Sequence, residues 1–298
     1  MTEVLAAQQL RRLELTVRRR LDGLLRGQYA GLLPGAGTEI AGSREYRPGE
    51  DEVRRMDWAV TARTGLPHVR ETIADRELTM WLLVDATPSM DFGTANLEKR
   101  DLAVAAVAAL GFVTAGFGNR LGAEVTLPAG VRRFPARTGR AHLLGLLRAL
   151  QATPRGEPGT APSLADSLDG LHRALRMRGL VVVVSDFLDP PAEWERPLRR
   201  LTARHQVIAV EVVDPRELVL PNVGVLTVVD PETGRRREVA TASRRVRDRF
   251  ADAAAEQKTA VRDAVRRASA AHLPLRTDRD WVADIVRHVH THRRLAAR

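Results

Sequence analysis

The chain has no cysteine, two lysines and few aromatic residues (4%) among its 298 residues. Without cysteine there is no disulfide scaffold, no thiolate metal site and no cysteine nucleophile. No apolar run approaches the roughly eighteen residues of a membrane span, and the N-terminus lacks a signal-peptide core. These absences predict a cytoplasmic protein with no membrane span. Neither lysine, Lys99 or Lys258, stands in a G-x-x-x-x-G-K-[ST] loop, which argues against nucleotide hydrolysis by this chain. A G-x-S-x-G nucleophile elbow and an H-E-x-x-H zinc helix are also absent. His288 and His292 share one helical face, but a solvated helix end accounts for them without a metal.

Apolar residues make up 44% of the chain, enough for a sizeable core, and the length suits one large α/β domain with a smaller attachment, or two domains. Over residues 3–26, Leu10, Leu13, Val17, Leu21 and Leu24 recur at helical spacing and predict an amphipathic helix. A Gly-rich loop follows over 31–42. From Leu78 onward strand and helix patterns alternate, which predicts a doubly wound, mainly parallel central sheet with helices on both faces. The chain therefore divides into an N-terminal segment, 1–77, and an α/β domain, 78–298. Predicted strands include Gly122–Leu127, Leu180–Ser185, Gln206–Val213 and Leu273–Arg276, with a hairpin of Val225–Val229 and Arg236–Ala240. Predicted helices run over Leu97–Val113, His142–Ala152, Ser163–Arg178, Ala192–Arg204, Ser243–Ala271 (capped by Ser243) and Trp281–Arg294.

The net charge is +10, and residues 231–298 carry 17 Lys and Arg against 9 Asp and Glu. Such a stretch is able to track phosphates. Its acids are interspersed, however, stacking aromatics are scarce, and no nucleic-acid-binding motif is present. We read it as a solvated basic face and expect no nucleic-acid partner.

The run Met80-Trp81-Leu82-Leu83-Val84 is too short for a helix and reads as a strand buried on both faces. It ends on Asp85, and hydroxyls follow at alternate positions, Thr87 and Ser89. In extended backbone alternate residues point the same way, so the three oxygens converge beyond the strand's carboxyl end, in a loop expected to be exposed. One carboxylate and two hydroxyls suit a hard cation: Mg2+, or alternatively Mn2+ or Ca2+. A second buried strand, Leu180-Val181-Val182-Val183-Val184-Ser185-Asp186, delivers another carboxylate with the same ending. Open α/β sheets bind ligands at that end of their strands.

The main enzymatic alternative is a metal-dependent phosphohydrolase using Asp85 and Asp186. Haloacid-dehalogenase-like phosphotransferases also place a nucleophilic Asp after a first strand, but they use D-x-D. Thr87 stands at the second carboxylate's position and does not exchange protons near neutral pH, so that mechanism lacks its acid/base group.

D-x-[ST]-x-S after a buried strand, with a later strand ending in Ser-Asp, resembles a von Willebrand factor A domain and its metal-ion-dependent adhesion site. The segment before it sharpens the likeness. Arg44-Glu45-Tyr46-Arg47-Pro48-Gly49-Glu50-Asp51, Arg54-Arg55-Met56-Asp57-Trp58 and Thr61-Ala62-Arg63 resemble the signature of the bacterial family known as domain of unknown function fifty-eight. Ser185-Asp186-Phe187-Leu188, Asp214-Pro215-Arg216-Glu217 and Asp230-Pro231-Glu232-Thr233-Gly234 extend it over about residues 30–285. The resemblance implies a non-enzymatic adaptor or chaperone-like partner of a MoxR-type AAA+ ATPase. It also implies a metal held by Asp85, Thr87, Ser89, Thr160 (or Ser163) and Asp186, and completed by an acidic residue of a protein ligand. Arg44, Asp51, Arg54, Asp57 and Arg63 then either brace the N-terminal segment as an ion-pair network, with Tyr46 and Trp58 packed beneath, or meet the partner.

Overall fold

A computed structural model describes residues 15, 40–47, 53, 56–72, 79–115, 119–155 and 161–296. All of the expected N-terminal helix but residue 15, and most of the Gly-rich loop, lie outside these residues. The first elements are β1 (Ile40–Glu45), α1 (Trp58–Thr64), β2 (His68–Thr72), β3 (Thr79–Asp85) and α2 (Lys99–Ala115). Next come β4 (Arg120–Leu127), β5 (Gly130–Arg137), α3 (Arg140–Gln151), α4 (Leu164–Ala174), β6 (Leu180–Ser185) and α5 (Pro191–Thr202). The chain then forms β7 (Gln206–Val213), β8 (Val225–Val229), β9 (Arg236–Ala240), α6 (Arg244–Arg267), β10 (Ala271–Arg276) and α7 (Trp281–Ala296).

Six strands build the central sheet in the order β10-β7-β6-β3-β4-β5. Every neighbouring pair is parallel except β4 with β5. From β3 the chain moves outward to β4 and β5, then returns across β3 to add β6 on its other side. The strand order thus reverses between β3 and β6, and the crevice at that switch point is where such sheets receive ligands. Val84 is level with Val184, so Asp85 and Ser185 emerge side by side at the top of the two strands.

Period-two alternation along β3 and β6 divides the core into two layers. Leu82, Val84, Val182 and Val184 face α2, α3 and α7, meeting Leu102, Val107, Leu143, Leu147, Val282 and Ile285. Leu83, Val181 and Val183 face the other way, against Leu168, Leu171, Trp194, Leu198, Val261 and Val265 of α4, α5 and α6. Each fully buried side chain of this size contributes about 1.5–3 kcal/mol by leaving water. A Cβ added to Gly179, just before β6, would lie 2.4 Å from the Thr79 carbonyl oxygen. Glycine there allows β6 to run close against β3.

Three features differ from the sequence reading. β5 occupies a stretch for which the sequence predicts no element. It is the antiparallel edge, mostly solvent-facing, with Arg132, Arg133 and Arg137 exposed, so it lacks the apolar alternation of a half-buried strand. α4 ends at Ala174, where the buried Leu175 turns extended, and α6 ends at Arg267 with Ser269 at φ 59°. Ser243 occupies the N-cap position of α6, but its side chain makes no capping bond.

The signature segment folds as an antiparallel pair, β1 with β2, joined through α1. Asp57 caps α1 by accepting from the Val60 N–H at 3.2 Å, and also accepts from the Ser43 hydroxyl at 2.8 Å. Trp58, expected to pack beneath, instead faces solvent at 64% exposure. It is the first residue of α1, next to the Asp57 cap, and it points off the hairpin rather than onto it. Arg63 is likewise exposed. Arg44 lies in β1, whereas Asp51 and Arg54 fall outside the described residues.

Candidate functional site

Beyond β3 the chain stays extended through Thr87 (φ −71°, ψ 166°) and enters a short 3-10 turn over Pro88–Asp91. The expected convergence is present. One oxygen of Asp85 accepts from the Thr87 N–H at 3.0 Å and from the Thr87 hydroxyl at 2.7 Å. Its other oxygen accepts from the Ser185 hydroxyl at 2.8 Å. The Thr87 and Ser89 hydroxyls are 3.2 Å apart. The loop is not exposed as expected, since Thr87 and Ser89 retain only 7% and 5% of their accessible surface. Met90, fully buried among the apolar residues of β3 and α2, draws the turn into the core.

Asp186 follows at the end of β6 and meets a residue that sequence reasoning missed. The Lys99 ammonium, at the first position of α2 and 1% exposed, donates to Asp186 at 2.8 Å and also to Glu217. Glu217 accepts in turn from the Asp214 N–H at 3.0 Å. The Asp214 carboxylate receives the Thr94 N–H at 2.8 Å and the Thr277 hydroxyl at 2.9 Å. The loops after β3, β6 and β7 are thus tied together around one buried cation. The available signal was compositional: a lysine in an Arg-dominated chain, placed immediately before an apolar helix.

Burial pushes the Asp85 carboxyl up to about 6, the charge of Asp186 pushes it the same way, and hydrogen bonds from Thr87 and Ser185 oppose the rise. For Lys99, burial works against the ammonium, but Asp186 and Glu217 outweigh it and hold its pKa above the usual lysine value. The two site carboxylates are therefore treated unequally. Asp186 has a resident counter-ion, whereas Asp85 is surrounded by neutral hydroxyls and one further anion.

That donor set fits a hard divalent cation. Asp85, Thr87 and Ser89 would hold it, with Asp186 adding negative charge from behind its pairing with Lys99. Among the described residues no group of three His, Asp or Glu side chains is arranged to hold a metal ion, so hydroxyls and water would complete the shell. Thr160 lies outside the described residues. Ser163 serves as the N-cap of α4, accepting from the Asp166 N–H at 3.1 Å. From the far side the β8–β9 turn reaches in, where Glu232 accepts the Ser89 N–H at 3.0 Å.

A family model described as "Protein of unknown function DUF58" matches residues 42–260, which include most of the signature hairpin and five of the six strands of the central sheet. The chain belongs to this family. An uncharacterized protein of Mycobacterium tuberculosis strain H37Rv is 53% identical over 288 residues, covering 97% of this chain and 90% of that protein. A Mycobacterium avium protein, also uncharacterized, is 48% identical over 162 residues, covering 54% of this chain and 95% of its own. Among solved structures, an aerotolerance-related membrane protein of Bacteroides fragilis aligns with TM-score 0.45 at 10% identity, covering 73% of this chain and 99% of that one. The von Willebrand factor A domain of SpRpn10 aligns with TM-score 0.38 at 12% identity, covering 70% and 93% respectively. No helix among the described residues is long and apolar enough to cross a membrane.

Proposed function

We propose that this DUF58 protein is a non-enzymatic protein–protein interaction module whose switch-point crevice is a Mg2+-dependent adhesion site. In this reading it acts as an adaptor or chaperone-like partner of a MoxR-type AAA+ ATPase. The observation that carries the reading is the convergence of the Asp85, Thr87 and Ser89 oxygens at the top of β3, beside β6. Hydroxyls donate less charge than carboxylates, and Asp186 is paired with Lys99. A divalent ion held there stays undercompensated and keeps positions for water. Asp85, Thr87 and Ser89 would hold the ion, and an acidic side chain of another protein would be drawn to its uncompensated charge. The ion supplies that bridging attraction, and the chain's residues orient it.

Phosphoester hydrolysis is less well supported. Thr87 stands where a D-x-D mechanism needs a second carboxylate as its acid/base group, and Asp186 is paired with Lys99. Calorimetric titration with Mg2+ tests the reading. Saturable binding by the native chain, lost in Asp85→Ala, supports it, together with partner capture that chelator and the same substitution abolish. Equal Mg2+ binding by native and substituted chains overturns it.

A further inference from the structure

The β8–β9 hairpin stands out from the domain, with both strands largely solvent-exposed. Its base is fixed. Thr241, fully buried, donates from its hydroxyl to the Gly224 carbonyl at 2.9 Å and accepts from the Val223 N–H at 3.2 Å. The tip is wound tightly by Asp230, whose carboxylate accepts the Glu232 N–H at 3.0 Å and the Thr233 hydroxyl. The Glu232 side chain takes no part in that turn. It reaches instead across 143 residues of sequence to the backbone N–H of Ser89.

A half-buried carboxylate at the end of an exposed arm loses part of its hydration for this one contact. The residue it touches is the one whose hydroxyl ends the Asp85–Thr87–Ser89 cluster. The molecule therefore already presents to the rim of the site the functional group expected of an external ligand.

We propose that Glu232 is an in-cis acidic ligand of the site, so that the β8–β9 hairpin is a latch which an acidic side chain of a partner must displace. The inference rests on the adhesion-site reading and adds its regulation. Asp85, Thr87 and Ser89 would hold the ion, Glu232 would add its carboxylate beside them, and an acidic side chain of a partner would compete with Glu232. An intramolecular carboxylate is present at high effective concentration, so weak acidic ligands are excluded and only a partner with additional contacts opens the latch.

Terbium, a hard oxygen-seeking ion whose luminescence lifetimes in H2O and D2O count its bound waters, is the probe. The full chain is compared with Glu232→Ala and, as a control on the same hairpin, Glu238→Ala. The expected result is about one additional inner-sphere water in Glu232→Ala, and none in the control. Amide exchange without metal is the second readout, with the Ser89 N–H exchanging at least several-fold faster in Glu232→Ala. Equal water counts in all three proteins, or unchanged Ser89 exchange, overturn the latch while leaving the adhesion site intact. Failure of every protein to bind terbium removes the adhesion site, and the latch with it.

Discussion

The Lys99 ammonium lies 2.8 Å from the carboxylate of Asp186, at the end of the strand adjacent to the one carrying Asp85. This pairing decides how charge is shared in the crevice. The chain's other lysine, Lys258, is used in the same way against the buried Glu211, at 2.7 Å. In a chain whose other Lys and Arg side chains are all arginines, both ammonium groups serve buried acids.

Lys99→Met removes the cation and leaves two acids facing each other in a buried place. Breaking a buried pair in this way costs about 3–5 kcal/mol. The expected outcome is a clear fall in the urea midpoint at neutral pH, partly restored when Asp186→Asn and Glu217→Gln are added. An unchanged midpoint in the single variant contradicts the buried network.

Gly179→Ala tests the closeness of the two site strands. Its added Cβ meets the Thr79 carbonyl oxygen, a backbone atom that moves only with the strand. A loss of about 1–3 kcal/mol is expected, as for other overpacked positions. Gly170→Ala, inside α4 with open space around the new Cβ, should instead gain about 0.5–1 kcal/mol. Equal effects at the two glycines argue against close strand packing.

Much of the architecture was legible from the residues. β6 and β7 were read at their observed boundaries because they are buried on both faces and rich in Val, with only Ala209 and Glu211 interrupting the β-branched residues inside β7. β8 and β9 were legible through the turn residues between them. β5 was not, because an Arg-rich edge strand is held by ladder hydrogen bonds more than by apolar burial. The same division runs through the site. Asp85, Thr87 and Ser89 are close in sequence, so period-two geometry alone brings them together. Lys99 and Glu232 reach the site only through tertiary packing, across 87 and 143 residues from the groups they bind. No local pattern encodes such a relationship.

The basic C-terminal quarter is expected to bind duplex DNA no more tightly than about 1 μM at roughly 150 mM salt, within the ordinary non-specific range. Many of its arginines are committed to neighbouring acids: Arg244 to Asp248, Arg266 to Asp263, Arg267 to Glu195, Arg276 to Asp278 and Arg287 to Asp284. Such exposed pairs add little stability but cancel much of the local field. Fluorescence anisotropy with labelled duplex checks this, and submicromolar binding would falsify the solvated-face reading.

The last prediction joins pH to metal. The folded chain holds the Asp85 carboxyl at about 6, above its ordinary 3.8. A proton therefore binds the folded state more tightly than the unfolded one. The stabilisation from that proton is fully present below 3.8 and is lost as pH rises through 6. Without divalent ions, the Asp85 contribution to stability should decline as pH rises from 3.8 to about 6, by about the amount that Asp85→Asn abolishes. Mg2+ needs the ionised carboxylate, so proton and metal compete for one group. Melting temperature should then rise with added Mg2+ at pH 7.5 and change little at pH 5. In Asp85→Asn the melting curve should ignore both variables at this site. A native chain whose Mg2+-induced shift is the same at pH 5 and pH 7.5 would place the ion somewhere other than Asp85.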